Sequence, residues 1–526
     1  MGPYPTPTQI RDRKIKDLST LLINEKNARR NDREEFCRER EKLEAEVKGS
    51  RAANKRLKQL AAKQSKRHDR LSAKYKESQK RVAKLEDELV LLKGRAKKDS
   101  SNSSKPPSSD GFGKTRRTFS TREKSGRKQG GQFGHTGCTM EPVAEDRIII
   151  EVKDGKCECG GEIEYGEAYN ARVCVDVEIK VATTEARVFK GHCKACGKTN
   201  TAAFPKEFPA PLSYGSNIRS LAATLNEFGN VSDSKTAEIL CDMTGGRISV
   251  SSGTVAAIRA DLAKRLAPVV KDIKQALINC KVLCVDETGV RVNGKLHWTS
   301  IYANKDFTLF EHDQKRGSHC DDSNGLLLLF SGILLHDHFK KYYKLTMSHA
   351  ECDQHILRYL LAVTEIQAHA WAKKMSDFLK STNLKKHNLI ELGGNCFTPE
   401  ELTAFRSEYT AILDEGDSEY QSAIAGLSNI RRFNEERCLL ARLRKYADEH
   451  LRFIYDFAVH FGNHLAEQGA GFFKTKQRAS GGFRSDKGAD DHAIIASVVA
   501  TARKQVISVF GTFNDAFIGN PVSGFG

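Results

Sequence analysis

The spacing of apolar residues divides the chain into segments with different periodicities. In the N-terminal part, selected positions recur at alternating steps of four and three: Leu71, Tyr75, Ser78, Val82, Leu85, Leu89 and Leu92. This spacing is typical of the seam of a coiled coil, and we assign residues 8–98 to one that pairs copies of the chain. The alternative is a solvated, highly charged helix that pairs with nothing. The more polar first half of the segment leaves that alternative open.

The periodicity ends at residue 99. Residues 99–140 are dominated by Ser, Pro and Gly with scattered Lys and Arg, which predicts a flexible basic linker that lies along phosphates. A spacer whose charge only keeps it soluble would have the same composition.

A β-rich pattern with two cysteine pairs follows over residues 141–205. Cys157 and Cys159 form a C-x-C pair, and Cys193 and Cys196 form a C-x-x-C pair, with alternating strand-like segments between them. This layout predicts a zinc-ribbon-like domain. Because the first pair is one residue short of the usual spacing, the alternatives are a strained four-thiolate site and a degenerate knuckle that binds no metal. Cys174 and His192 are candidate substitute ligands, and the alternative is that they are a core thiol and a surface imidazole.

Residues 206–270 have helical periodicity interrupted by Gly and Ser turns. The last stretch begins at Ser251 or Ser252, either of which would cap it, and the order of helices predicts a helix-turn-helix-like DNA-binding domain. Its final helix would present Arg259 and Lys264 to DNA. A small helical bundle that binds nothing has the same pattern.

Two short apolar runs each end on an acid. The first is KVLCVDETGVR, in which Val285 is followed by Asp286 and Glu287, with Gly289 as a turn residue. The second reaches Leu335 and is followed by Asp337. Two further strand-like segments lie between them. An α/β RNase H-like sheet needs two neighbouring strand ends of this kind to bring two acids together.

A third acid and a string of basic residues follow a long helical interval. Glu467 is the candidate acid, and Asn463 is a candidate helix cap just before it. Three carboxylates can hold two Mg²⁺ ions, for which Mn²⁺ is an expected substitute. We therefore predict a catalytic core over residues 271–350 and 459–526 with an all-helical insertion at 351–458. The basic residues expected to contact DNA here are Lys474, Lys476, Arg478 and Arg484.

Charge and composition narrow the expected partners. Lys and Arg outnumber Asp and Glu by 85 to 67, and the formal net charge is +18, which favours a polyanionic partner. No apolar run approaches the length of a membrane span. The N-terminus lacks the apolar core of a signal peptide, so a reducing compartment is expected. There the 14 cysteines serve as metal ligands or packed thiols rather than disulfides.

Several of these motifs, in this order, resemble the insertion sequence 66 family of bacterial transposases. They are NSSKPPSSD, GRKQGGQFGHTG, the cysteine ribbon, VDETGVRVNGKLHW, HDHFKKYY, CDQHILRYL and KTKQRASGGFRSDKGADD. The resemblance implies Mg²⁺-dependent DNA strand cleavage and strand transfer by the triad Asp286, Asp337 and Glu467. It also implies binding to the terminal repeats of a mobile element and to target DNA, accessory proteins of the same element, and a cytoplasmic, nucleoid-associated location in bacteria.

Two departures from the family pattern favour an alternative function. Gln468 stands where the family has an arginine beside the last acid, and the first knuckle is C-x-C. A catalytically weakened or domesticated, transposase-derived DNA-binding protein would show such changes. Cys352 and His355 form half of a second zinc site, for which Cys320 or His349 would be the partner, or they pack structurally.

Overall fold

The computed structural model describes residues 7–49, 54–99, 101–103, 149–153, 157–167, 171–321, 325–427, 429–522 and 525. Contacts divide the chain into two compact units. The sheet unit comprises residues 1–119, 268–505 and 525, and the helical unit comprises residues 120–267, 506–524 and 526.

Helices predominate over strands in the described residues. The strands are β1 (Lys190–His192), β2 (Thr199–Thr201), β3 (Val282–Val292), β4 (Lys295–Ala303), β5 (Thr308–Asp313), β6 (Ile333–His336) and β7 (Ser348–Glu351). The first helices are α1 (Pro7–Gly49), α2 (Asn54–Lys97), α3 (Ser216–Ala223), α4 (Asp233–Met243), α5 (Ser252–Ile278) and α6 (Leu326–Leu329). The remaining helices are α7 (Asp353–Ile366), α8 (Ala370–Glu391), α9 (Pro399–Ile424), α10 (Asn434–Lys445), α11 (Ala447–His450), α12 (Arg452–Tyr455), α13 (His464–Ser480), α14 (Asp486–Lys504) and α15 (Val509–Ile518).

The sheet unit is built on a five-stranded mixed sheet in the order β5-β4-β3-β6-β7. Strands β3, β4 and β5 are antiparallel neighbours, whereas β6 is parallel to both β3 and β7. Buried Leu283, Cys284 and Val285 in β3 and Leu334 and Leu335 in β6 form its centre. The prediction of an α/β domain with helical parts is confirmed at this level.

Strand β3 is longer than the sequence predicts. It continues through Asp286 and Glu287, and the chain reverses only at Asn293 and Gly294, whose φ angles of 46° and 75° suit a tight hairpin. The predicted turn at Gly289 is therefore wrong, since Gly289 pairs with a β4 residue inside the strand. The physical reason is a change of partner, because β4 continues to pair with β3 after the β6 pairing ends at Cys284.

Helices α7 to α12 follow β7 and share the core of the sheet unit. Trp371 is fully buried, and its indole N–H donates to Glu436 Oε1 at 2.7 Å, which satisfies its polar atom inside the core. Gly416 lies against the Trp371 ring so closely that an added Cβ would be 2.8 Å from Cδ2. This contact explains a glycine in the middle of α9.

The N-terminal helices α1 and α2 pack against each other within the chain. Leu18, Val82 and Leu89 are buried between them, and Ser78 donates to Glu25 Oε1 at 3.0 Å. The predicted seam of α2 thus faces α1 of the same chain. Self-association of the chain stays a prediction that this pairing does not test.

The beginning of the predicted linker is ordered. Asn102 is 1% exposed, and its side-chain amide donates to the Lys97 carbonyl at 2.9 Å and to Glu365 Oε2 at 2.8 Å. Asp99 accepts from the Ser101 N–H at 2.8 Å. The expectation of a flexible linker is therefore wrong for residues 99 and 101–103, because a hydrogen-bonded turn attaches them to α7. Residues 104–140 lie outside the described residues.

The helical unit contains α3, α4, α15 and the first part of α5. Ser251 Oγ accepts from the Thr254 N–H at 3.0 Å, so Ser251 is the residue that caps α5. The helix then continues past the predicted domain boundary at 270 to Ile278. DNA recognition by these helices stays a prediction. None of the described helices is both long and apolar enough to cross a membrane.

A candidate acidic active site

Asp286 on β3 and Asp337, directly after the end of β6, occupy adjacent positions along two parallel strands. Cys284 of β3 is in register with Leu335 of β6, which is the last pair between these two strands. Asp286 and Asp337 each follow two residues after this pair. The same register therefore brings the two carboxylates to the end of the sheet at which the pairing of β3 with β6 stops. Parallel pairing, which aligns equivalent strand ends, is what brings them together.

The third acid, Glu467, is carried by the first turn of α13. Asn463 precedes this helix, but its side chain does not cap it. Instead the Asn463 amide donates to the carbonyl of Val285 at 2.6 Å, and its backbone N–H lies 3.2 Å from Cys352 Sγ. The expected capping role is thus corrected. Asn463 attaches the start of α13 to the strand residue directly before Asp286.

Asp337 and Glu467 both act electrostatically on Asp286. Burial raises the pKa of Asp286 from 3.8 to about 7, and the negative charges of Asp337 and Glu467 contribute in the same direction. The Glu287 N–H, which donates to Asp286 Oδ1 at 2.8 Å, opposes the increase in this pKa only in part. Such a cluster favours a bound cation or proton.

A thiol and an imidazole lie beside the third acid. Ligand atoms of Cys352, His355 and Glu467 are all within 4.8 Å of one another, with His355 Nε2 3.8 Å from Glu467 Oε1. Glu467 Oε1 and His355 Nδ1 are buried and have no hydrogen-bond partner among the described residues. Burial raises the pKa of the Cys352 thiol to about 12, so without a metal it is protonated at neutral pH. The third group of this cluster is therefore Glu467, and not Cys320 or His349 as the sequence suggests.

Glu287 has a different role from Asp286. Because side chains alternate along a strand, it lies on the opposite face of the sheet. It accepts from Arg316 Nε at 2.8 Å and from the Gly317 N–H at 2.9 Å. Arg316 in turn stacks over the rings of Trp298 and Phe339, at 4.9 and 4.5 Å from their centroids. Glu287 thus supports the segment after β5 from outside the acid cluster.

A buried ionic network at the end of β7 was not anticipated. Glu351 has a side chain that is 0% exposed and accepts from His338 Nδ1 at 2.7 Å and Arg442 Nε at 3.0 Å. Its hydroxyl partner is Tyr343, and His450 Nε2 lies 3.6 Å from it. Despite burial, these partners hold the pKa of Glu351 well below its usual value. The motif SHAE has no long apolar run, which is why the sequence did not predict this strand.

The predicted basic contacts divide into accessible and inaccessible residues. Arg478 and Arg484 are exposed and Lys474 is half-buried on or just after α13. Lys476 is 3% exposed and has an interaction partner in the protein, so its prediction as a DNA contact is wrong. In the helical unit Lys264 is exposed.

Arg259, also predicted to contact DNA, is engaged inside the helical unit. Its guanidinium is 22% exposed and lies 3.4 Å from Glu227 and 3.7 Å from Asp233. Packing against these acids directs the side chain inward, so the predicted presentation of Arg259 to DNA is corrected.

The four ribbon cysteines form two separate turns. Gly160 N–H donates to the Cys157 carbonyl and Gly197 N–H to the Cys193 carbonyl, each at 2.8 Å. The second turn connects β1 to β2. Among the described residues the four thiols do not form a group of three or more ligand atoms within 4.8 Å. Zinc binding here stays a prediction.

Comparison with known families places this acidic site in context. Residues 237–491, which include Asp286, Asp337 and Glu467, match the model of the Transposase IS66 family. Residues 33–141 match a family of unknown function, DUF6444. No curated protein matches the chain. Residues 237–491 therefore belong to the transposase IS66 family.

Proposed function

We propose that the protein binds the ends of its mobile element and catalyses metal-dependent cleavage and strand transfer of DNA. The observation that carries this proposal is the register of β3 and β6, which brings Asp286 and Asp337 to adjacent positions. Burial is the main cause that raises the pKa of Asp286 to about 7, and the charges of Asp337 and Glu467 add to it. The sheet order β5-β4-β3-β6-β7, with three antiparallel strands followed by two parallel ones, supports an RNase H-like catalytic domain.

The donor set fits magnesium. Mg²⁺ prefers oxygen ligands and is held by a few carboxylates with water and phosphate oxygens completing the shell. Glu467 Oε1 is buried without a hydrogen-bond partner among the described residues, so it has a free lone pair for an ion. When bound, two such ions would activate the attacking oxygen and stabilise the leaving oxygen of a phosphodiester. No protein nucleophile is needed for this chemistry.

The residues around the acids hold them in position. Asn463 fixes the start of α13 relative to β3 through the Val285 carbonyl, which sets the position of Glu467. His355 lies beside Glu467 and provides a nearby imidazole. Arg478 and Arg484 are exposed at the end of α13 and beyond it, which supports their role as contacts to DNA phosphates.

Gln468 does not exclude an active enzyme. It is exposed on α13, next to Glu467 and away from the buried face of the helix. The missing family arginine therefore removes a surface cation and leaves the three acids intact. The expected effect is weaker positioning of the DNA phosphates. This effect corresponds to the alternative of a catalytically weakened enzyme, with the chemistry reduced and not lost.

A plasmid cleavage assay on the full chain tests the proposal. The substrate is a supercoiled plasmid that carries the element ends, with Mg²⁺, Mn²⁺ or EDTA. We expect Asp286→Asn to lower cleavage at least about 100-fold, since a lost metal ligand costs several kcal/mol of transition-state stabilisation. Asp306→Asn, which removes an acid with a side chain 47% exposed between β4 and β5, is the matched control.

Binding to the ends is measured in parallel by mobility shift. If wild type and Asp286→Asn bind the ends equally and give the same products in Mg²⁺, the enzyme proposal fails. A DNA-binding protein without chemistry is then the better description.

A further inference from the structure

A second cluster of metal-ligating side chains lies away from the acid triad, where β4, β5 and α14 meet. His297 is on β4, His312 is on β5, and Asp486 is the first residue of α14. The imidazoles are 11% and 4% exposed, whereas the Asp486 side chain is 50% exposed. Two buried imidazoles thus face one carboxylate that remains open to solvent.

The spacing of the three ligand atoms matches one metal ion. His297 Nδ1 lies 3.0 Å from His312 Nε2 and 3.2 Å from Asp486 Oδ1. The distance from His312 Nε2 to Asp486 Oδ1 is 4.0 Å. Ligands bound at about 2.0–2.1 Å in a tetrahedron are about 3.3 Å apart. The observed distances scatter around that value, so a small movement of Asp486 would complete three corners.

A further carboxylate orients one of the imidazoles. His312 Nδ1 lies 2.8 Å from Asp490 Oδ1, one helical turn after Asp486. If Nδ1 carries the proton and donates to Asp490, the lone pair of Nε2 points toward the other two ligands. Carboxylates that hold metal-bound histidines in this way are a recurring feature of zinc sites. Gln314 Nε2, 3.2 Å from Asp486 Oδ2, holds the ligating carboxylate in turn.

The charges also balance. Two neutral imidazoles with Asp486 and Asp490 carry two negative charges, which a divalent ion would neutralise. Without an ion, only one proton can occupy the space between His297 Nδ1 and His312 Nε2. Asp486 Oδ1 then either lies next to an unprotonated imidazole nitrogen, which is also a hydrogen-bond acceptor, or competes with that nitrogen for the proton. A cation relieves this crowding of lone pairs.

The site is separate from the acid triad. On β4, Ile301 pairs with Asp286 and His297 pairs with Val290. These positions differ by four residues along the strand, about 13 Å at 3.3 Å per residue. The nearby segment before α14 pairs with the end of β3 through Phe483, whose N–H donates to the Arg291 carbonyl at 2.8 Å. An ion at this point would fix the start of α14, and with it the loop that carries Arg484, to the sheet.

We propose that His297, His312 and Asp486 bind one divalent ion of the zinc class, with Asp490 orienting His312 and water in the fourth position. Two imidazoles and one carboxylate favour Zn²⁺ or Co²⁺ over Mg²⁺, which prefers oxygen ligands alone. The half-exposed Asp486 leaves room for the water. This site rests on its own geometry and does not depend on the proposed cleavage activity.

Metal titration of the full chain tests the proposal. Apo protein is prepared with a chelator, and Zn²⁺ binding is measured by calorimetry and elemental analysis for wild type, Asp486→Asn, His312→Gln and Asp490→Asn. We expect Asp486→Asn and His312→Gln each to lose one zinc equivalent. Asp490→Asn keeps the ion but binds it about 10- to 100-fold more weakly, the usual effect of removing such an outer carboxylate.

Two controls separate this site from others. Asp491→Asn removes an acid of the same helix that pairs with Lys487 at 2.7 Å and should bind zinc as wild type does. Bound Co²⁺ reports the ligand type. The Co²⁺ ion that binds to wild type but not to Asp486→Asn or His312→Gln should show visible ligand-field bands without the thiolate charge-transfer absorption of a cysteine site. Thermal unfolding of the apo variants establishes that each is folded.

The proposal is overturned if folded Asp486→Asn and His312→Gln bind the same number of zinc equivalents as wild type with unchanged affinity. It is also overturned if the Co²⁺ spectrum of every equivalent has thiolate character. In either case the cluster is only a hydrogen-bonded contact between α14 and the sheet.

Discussion

The raised pKa of Asp286 makes the stability of the metal-free protein depend on pH in a defined direction. Burial, Asp337 and Glu467 raise this pKa from 3.8 to about 7. The folded state therefore binds the proton more tightly than the unfolded state. The group stabilises the fold fully below about pH 4, and this contribution is lost as the pH rises through about 7.

The magnitude follows from the two pKa values. The difference between 3.8 and about 7 corresponds to about 4 kcal/mol in the free energy of unfolding. Solvent near the partly exposed Asp286 side chain makes this an upper bound. Asn has nearly the same shape as Asp and does not titrate. The Asp286→Asn variant therefore does not lose stability through ionisation of this side chain as the pH rises. Relative to wild type, the variant should gain up to about 3 kcal/mol in stability between about pH 5 and about pH 8.

Thermal unfolding in EDTA across this pH range measures the effect. For a unit of roughly 360 residues, with an unfolding entropy of about 2.1 cal/mol/K per residue, each kcal/mol moves the melting temperature by roughly 1–2 °C. The pKa values of other buried groups, such as Asp353 raised to about 7 and Lys386 lowered to about 8, affect both proteins equally and cancel in the difference. Asp306→Asn is the control for loss of an exposed carboxylate.

The reasoning is refuted if the stability difference between Asp286→Asn and wild type is the same at about pH 5 and about pH 8. Addition of Mg²⁺ near pH 8 gives a second comparison, since a bound cation compensates the ionised cluster. Wild type should then regain stability relative to the variant. A failure of this second comparison alone would count against the metal site and not against the pKa argument.

Two other substitutions test the packing that supports the site. Gly469→Ala places a Cβ 2.8 Å from Cγ2 of Ile301, so α13 must move away from β4. We expect at least a roughly tenfold loss of plasmid cleavage with the protein still folded, and full activity would contradict the placement of Glu467. Glu351→Gln leaves Arg442 buried without its counter-ion, for which we expect a loss of about 3–5 kcal/mol in denaturant unfolding. A loss below about 1 kcal/mol would show that the network is not held as described.

The strand-end acids are the part of the site that sequence patterns predict best. Asp286 and Asp337 each follow an apolar run, and the structure places both runs in parallel register. Glu467 has no such local signal, because its position depends on how α13 docks through Asn463. Residues that meet only through tertiary packing leave no periodic trace in the sequence.

The histidine cluster illustrates the same limit. His297 and His312 lie on two strands that sequence patterns do predict. Whether the two imidazoles lie next to each other depends on the register of β4 and β5, which the sequence does not give. Asp486 comes from a helix far along the chain. Ligand spacing in the sequence is informative only when the ligands share one local element, as in the C-x-x-C knuckle at Cys193.

Local sequence also fails to distinguish an acid that is available for chemistry from one that is not. Strands β3, β6 and β7 each contain or lead to an acid at the same edge, namely Asp286, Asp337 and Glu351. Helices α10 and α11 supply Arg442 and His450 to Glu351, which is thereby neutralised and held in the core.

Asp286 instead faces two other carboxylates, and its pKa is raised rather than lowered. The helices between β7 and α13 therefore do more than interrupt the sheet. By satisfying the acid of the third strand, they leave the first two strand-end acids and Glu467 as the group that a cation can stabilise. A change of Arg442 should accordingly disturb folding before it disturbs the chemistry, whereas a change of Asp286 should do the reverse.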